Sequence, residues 1–94
     1  MTRNIIQEVF GTDLTPLQAK VLATILKEKV ISIGGLTNLG FSEKTIRYLF
    51  RKWKQTGLLV FMSAGLYRIN NNIAKKITPE VLEELDKLAA GIEM

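Results

Sequence analysis

Residues 42–57, SEKTIRYLFRKWKQTG, encode one strongly amphipathic helix around which the rest of the fold can be predicted. Ser42 can cap the first turn, Glu43 suits the positive end of the helix dipole, and Gly57 can end the helix. Four apolar residues recur at i, i+3, i+4 and i+7 and form one face: Ile46, Leu49, Phe50 and Trp53. We therefore expect a helix from about Ser42 to Gln55 whose apolar face is buried.

The opposite face of this helix is basic and polar. At about 100° per residue it presents Lys44, Arg47, Tyr48, Arg51 and Gln55, with Lys52 and Lys54 on its flanks. The segment from Phe41 to Lys76 contains eight basic residues and one acid, a net charge of +7. Residues 77–94 contain one basic residue and five acids, a net charge of −4. This asymmetry predicts one surface for a polyanion and a different role for the acidic tail.

Two helices are predicted near the N-terminus. Residues 3–10 form the first, with Thr2 as its cap and Gly11 at its end. The second begins at Thr15-Pro16-Leu17-Gln18, where the hydroxyl caps the helix and proline takes the first helical position. Its expected core-facing residues are Leu17, Val21, Leu22, Ile25 and Leu26.

Short elements flank the basic helix. Residues 30–31 are β-branched and suggest a short strand, and residues 32–39 predict a short third helix that closes at Gly40. Residues 58–62 and 66–69 predict two strands joined by a tight turn. The asparagine run 70–72 predicts a turn or a cap. The fold class is therefore mainly α with a small β-hairpin.

Length and composition exclude several classes of function. The chain has 94 residues, which suits one domain with one modest core. Cysteine and histidine are both absent, so the sequence offers no thiolate site, no imidazole ligand and no histidine base. We expect no enzyme activity, no cofactor and no metal. No apolar run approaches the roughly 20 residues that span a bilayer, so we expect a cytoplasmic protein without membrane insertion.

The order of these elements resembles the winged helix-turn-helix family of small bacterial and archaeal DNA-binding proteins. The resemblance covers about residues 15–70 and rests on four segments: IGGLTNLGFS (33–42), TIRYL (45–49), WKQTGLL (53–59) and YRI (67–69). It implies one winged-helix domain over residues 1–94, with its core at 15–70 and terminal helices at about 3–10 and 78–90. It also implies sequence-specific binding of double-stranded DNA by the helix of residues 42–55.

The physical chemistry of the basic helix agrees with that implication. Arg47 and Arg51 suit paired hydrogen bonds to guanine O6 and N7, whereas Lys52 and Lys54 on the flanks suit phosphates. Arg68 is the one charge on the hairpin. The predicted DNA-binding residues are Ser42, Lys44, Thr45, Arg47, Tyr48, Arg51, Lys52, Gln55 and Arg68. Lys75 and Lys76 are further candidates for backbone contacts.

The terminal helices each carry an apolar stripe that predicts a homodimer. The second of them begins at Thr78-Pro79 and runs to about Ala90. The predicted dimerisation residues are Ile5, Ile6, Val9, Phe10, Val81, Leu82, Leu85, Leu88 and Ala89, with Ile92 as an extension. Such an arrangement resembles PadR-like and MarR-like regulators. The alternative is that the C-terminal stripe folds back on its own domain.

Three functions stay open at this point. A transcription regulator is the first expectation, and a plasmid partition protein that binds a centromere, or an architectural protein that coats DNA, is the second. This second expectation comes from a resemblance to the small winged-helix site-binding proteins of archaeal plasmid partition. The third is a winged helix that binds a further protein partner without touching DNA, because a fold alone does not fix function.

Overall fold

The computed structural model describes residues 4–91, which fall into two compact units. One unit draws on both ends of the chain, within residues 4–24 and 71–91, and the other is Ile25–Asn70. The elements in chain order are α1 (Ile5–Phe10), α2 (Pro16–Glu28), β1 (Ile31–Ser32), α3 (Ile33–Asn38), α4 (Glu43–Thr56), β2 (Leu59–Phe61), a 3-10 turn (Ser63–Gly65), β3 (Leu66–Ile69), α5 (Asn71–Ala74) and α6 (Pro79–Ala89). The chain is mainly helical with one small antiparallel sheet, as predicted.

In the first unit, α1 packs against α6. Both helices bury their apolar stripes, and the buried members are Ile6, Val9, Phe10, Val81 and Leu85. Both stripes therefore have a partner within the chain. A two-turn helix such as α1 is unstable alone, so its packing against α6 explains why it forms. The alternative in which the C-terminal stripe folds back describes α6 correctly.

The helix starts of this unit follow local capping chemistry. The hydroxyl of Thr15 accepts the N–H of Gln18 at 3.2 Å, and the Gln18 side chain accepts the N–H of Thr15 at 3.1 Å. This reciprocal pair is the predicted capping box. Leu17, however, is 36% exposed, so its assignment to the core is wrong. The fully buried Ala19 lies on the inward face instead.

Two boundaries in the first unit differ from the prediction. α1 begins at Ile5 and not at Arg3, because Asn4 is the cap and its side chain accepts the N–H of Gln7 at 3.0 Å. Thr2 and Ile92 lie outside the described residues. The asparagine run, which predicted a turn or a cap, opens the short helix α5 (Asn71–Ala74).

In the second unit, the sheet has three strands in the order β1-β3-β2, one more than a hairpin. β3 pairs with β1 through Ile31 opposite Tyr67, and with β2 through Phe61 opposite the same tyrosine. The predicted strand at residues 30–31 is shifted by one residue, because Val30 lies outside the strand and is 39% exposed. The central position of β3 ties the hairpin to the segment before α3.

The helices of the second unit are set by two left-handed glycines. Gly40 has φ +104° and reverses the chain between α3 and α4, and Gly57 has φ +86° and ends α4. A side chain at either φ would be strained, which explains glycine at both positions. α4 has 14 residues. Within residues 4–91, no helix combines the length and apolar character needed to cross a bilayer.

Candidate nucleic-acid interface

Helix α4 is anchored firmly along one face. Ile46 is fully buried, and Leu49, Phe50 and Trp53 are each 2% exposed. The prediction that Phe50 and Trp53 belong to the core is confirmed. Because these four side chains lie on one face of the helix and are buried there, the opposite face is left to solvent.

That opposite side presents a dense set of polar and cationic groups. Lys44, Arg47, Tyr48, Arg51, Lys52, Lys54 and Gln55 are all exposed. Tyr48 is 63% exposed, so it belongs to the surface and not to the core. Between Glu43 and Thr56 the helix has five cations and one acid, a net charge of +4. Such a concentration of one sign attracts an anionic partner.

The single acid of α4 contacts one of these cations. Glu43 Oε1 accepts hydrogen bonds from Arg47 Nε at 3.1 Å and from Arg47 Nη2 at 2.8 Å. The two side chains are 57% and 61% exposed, so the pair contributes little to stability. Arg51 differs, because no ion pair or side-chain hydrogen bond engages it within residues 4–91.

The first turn of α4 uses its polar groups internally. Ser42 is the N-cap, and its hydroxyl accepts the N–H of Thr45 at a long 3.5 Å. Thr45 itself is half-buried. Of the predicted contacts in this turn, Ser42 and Lys44 are exposed, and Ser42 also caps the helix.

A shallow groove of about 240 Å³ runs beside α4. It is lined by Ile33, Arg47, Phe50, Arg51, Lys54 and Tyr67. Three cations thus converge on a space with an aromatic wall. The groove suits an anion whose flat or apolar portion contacts the half-buried ring of Tyr67, and nucleic acids combine both features.

An aromatic ladder supports this groove. The rings of Phe50 and Tyr67 lie 4.8 Å apart edge to face, and those of Tyr67 and Phe61 lie 5.3 Å apart. Lys54 Nζ lies 5.4 Å from the centroid of the Phe61 ring, within the range of a cation–π interaction. Neither Phe61 nor Tyr67 is among the residues predicted for this site from the sequence. The alternation of side chains along the two strands could have placed both on the sheet face that meets α4.

Arg68 does not join this group. Residues opposite each other in a sheet share a face, and Arg68 is paired with Val60, one position out of phase with Phe61 and Tyr67. Arg68 Nη1 donates a hydrogen bond to the carbonyl of Ile69, the next residue of the same strand, at 3.3 Å. The structure therefore separates Arg68 from the cations of α4, and its contact with DNA stays a prediction.

The predicted dimerisation residues divide into two sets. Five are buried within the chain, as described above, and a surface formed by them would require the first unit to open. The other four keep accessible surface: Leu82 is 41% exposed, and Ile5, Leu88 and Ala89 are half-buried. Dimerisation stays a prediction, and Leu82 is the best-placed residue of the set for it.

Comparisons with protein-family models, with curated proteins and with solved structures found no match.

Proposed function

We propose that the chain binds double-stranded DNA with α4 in the major groove. The observation that carries the proposal is the division of α4 into a buried apolar face and an exposed face with five cations. The major groove of B-DNA accepts one α-helix, and the helix must be held from behind while its outer side chains reach base edges. α4 meets both requirements.

The neighbouring elements support a winged helix-turn-helix as the setting of this interface. α3 packs against α4 across the tight turn at Gly40, and the hairpin of β2 and β3 follows directly. In this arrangement α4 is the recognition helix and the hairpin is the wing. The short wing tip, Ser63–Gly65, has no charge, so most of the attraction for phosphates comes from α4.

Within this proposal the cations divide by chemistry. Arginine offers two parallel N–H groups that match guanine O6 and N7, so Arg47 and Arg51 are assigned to base contacts. Lysine offers a point charge, so Lys44, Lys52 and Lys54 are assigned to phosphates. The role that we assign to such a protein is that of a transcription regulator that acts as a homodimer. A partition or coating protein would use the same contacts but spread along DNA.

The test is fluorescence anisotropy of a labelled duplex titrated with protein at several salt concentrations. The logarithm of the binding constant should fall linearly with the logarithm of salt concentration, with a slope of about −0.9 for each phosphate neutralised. The double variant Lys52→Gln/Lys54→Gln should weaken binding to every duplex and reduce the slope by about two contacts. Its matched control is Lys27→Gln/Lys29→Gln, which removes the same charge from exposed positions outside α4.

Two results would decide against the proposal. One is the absence of binding to any duplex at low salt. The other is an equal loss of affinity in the α4 variant and in its control, which would mean that only the net charge of the protein attracts DNA. Footprinting at rising protein concentration then separates the two DNA roles, because a regulator protects a bounded site and a coating protein extends its protection.

A protein-interaction module is the second candidate, and one observation favours it. A groove of about 360 Å³ in the second unit includes four apolar side chains: Val30, Ile31, Leu39 and Leu66. Leu39 is 59% exposed and Val30 is 39% exposed, so two neighbouring side chains of the groove present apolar surface to solvent. A photo-crosslinking amino acid at position 39 tests this candidate. The interaction module is favoured over DNA binding if two results are found together. The residue at position 39 must crosslink to a protein partner, and the chain itself must bind no duplex.

A further inference from the structure

The pair between Glu43 and Arg47 leaves the guanidinium in a specific state. Arginine has two edges that can form paired hydrogen bonds, one from Nε and Nη2 and the other from Nη1 and Nη2. Glu43 Oε1 occupies the first edge through both of its nitrogens. Within the described residues no other hydrogen bond from Arg47 is present, so its second edge is open.

We propose that Glu43 is a positioning residue that fixes Arg47 for reading guanine, an inference that rests on the DNA binding proposed above. Glu43 and Arg47 are one turn apart on α4, and both are exposed. The open edge presents two donors side by side. Guanine presents two acceptors, O6 and N7, in the major groove, whereas adenine presents one acceptor and one donor.

Holding one edge of an arginine raises selectivity because it removes alternatives. A free arginine side chain loses considerable rotational freedom when it binds, and it can also turn its other edge toward a phosphate. The carboxylate of Glu43 occupies that edge in the structure, so a phosphate must compete with it. The Glu43–Arg47 pair is weak in water, but the exclusion of water at a protein–DNA interface strengthens it.

The charge of Glu43 has a second consequence, of opposite sign. Glu43 is the one acid between Phe41 and Lys76, and it repels phosphates without regard to sequence. Removal of its charge should therefore strengthen binding to random DNA while it weakens the preference for guanine. If Glu43 served only to stabilise the helix, its substitution would not strengthen binding to random DNA while it weakens the preference for guanine.

The experiment starts from a duplex selected by the wild-type protein out of a randomised pool. Each G·C pair of the selected site is replaced in turn by A·T, and binding is measured beside a scrambled duplex. For Glu43→Gln, discrimination at one guanine should fall about tenfold, within the range of one paired contact, while the scrambled duplex binds as tightly as before or more tightly. Arg47→Ala should lose discrimination at the same guanine, and the double variant should be no worse than Arg47→Ala.

Two further variants separate position from charge. Glu43→Asp keeps the charge on a shorter side chain that cannot reach Arg47 in the same way, so it should lose the preference for guanine without a gain on the scrambled duplex. Glu28→Gln removes another exposed acid of the second unit and should leave the preference intact. Thermal unfolding monitored by circular dichroism verifies that each variant is folded.

The outcomes distinguish this inference from the function on which it rests. If the wild-type protein binds no duplex, both fail. If it binds but shows no guanine preference, or if Glu43→Gln keeps the preference that Arg47→Ala loses, the positioning role of Glu43 is overturned and DNA binding stands.

Discussion

Helices α4 and α6 have similar buried faces, but their exposed faces carry opposite charge. Each begins at a hydroxyl cap, and each is anchored by fully buried side chains, Ile46 in α4 and Leu85 in α6. The outer face of α4 has five cations, whereas α6 has four acids and Lys87, which pairs with Glu83 at 3.6 Å and with Glu84 at 3.5 Å. The buried face of a helix fixes where it lies, and the exposed face decides what it attracts.

This comparison separates stability from binding. α4 carries a net charge of +4 and α6 a net charge of −3 over their helical residues. A polyanion attracted to the first is repelled by the second. Substitutions in the inner faces should therefore affect folding in both helices, and substitutions in the outer faces should affect DNA binding in α4 alone.

The largest effect is expected at the inner face of α6. Leu85→Glu places a carboxylate where the native side chain is fully buried, and an unpaired buried charge costs several kcal/mol. The variant should be unfolded or severely destabilised in urea denaturation. Leu82→Glu adds the same charge on the same helix at a site that is 41% exposed, and it should unfold at nearly the wild-type urea concentration.

Light scattering on the same two proteins tests the dimer. If α6 forms a dimer through its accessible surface, Leu82→Glu should give a folded monomer. A folded Leu85→Glu protein with half the wild-type mass would instead contradict the burial of Leu85 within the chain.

The inner faces were predictable from sequence because they follow local rules. The basic helix was expected over residues 42–55 and is found at Glu43–Thr56, since the apolar period and both end signals lie within the segment. The pairing of Glu83 with Lys87 follows from the same i, i+4 spacing. The pairing of Glu43 with Arg47 has identical spacing and could have been predicted in the same way.

The remaining features depend on contacts between distant segments. An apolar stripe such as that of α1 or α6 has the same sequence pattern whether it packs on another helix of the chain or on a second copy. Only the folded structure distinguishes the two partners. The side of the sheet on which Arg68 lies depends on strand register, because a shift of one residue exchanges the two faces. β1 is only two residues long, so its β-branched residues predict a strand but place it one residue early, and no local signal indicates its pairing with β3.

The second largest effect is expected at the outer face of α4. Arg51→Ala should weaken binding to the selected duplex by about 1–3 kcal/mol and relax its sequence preference, because Arg51 is exposed and assigned to a base. Lys87→Ala removes an exposed cation from α6 and should leave binding unchanged. Anisotropy titrations of both variants on selected and random duplexes measure this difference. If Arg51→Ala loses the same affinity on both duplexes, Arg51 contacts a phosphate and not a base.

The smallest effects are expected at the two caps, where the helices are most alike. Ser42 and Thr78 each accept a backbone N–H, from Thr45 at 3.5 Å and from Val81 at 3.3 Å. Replacement of either by alanine should lower the free energy of unfolding by about 1 kcal/mol. Only Ser42→Ala should also weaken DNA binding, because Ser42 is exposed at the start of α4, the helix proposed to enter the major groove.

Glycine at position 42 separates those two roles of the serine. Glycine is a tolerable cap that costs only a few tenths of a kcal/mol, but it has no hydroxyl to offer a phosphate or a base. Ser42→Gly should therefore unfold at nearly the wild-type urea concentration and still bind DNA as weakly as Ser42→Ala. If Ser42→Gly binds like the wild-type protein, the hydroxyl acts on the helix alone, and Lys44 becomes the first residue of α4 that contacts DNA.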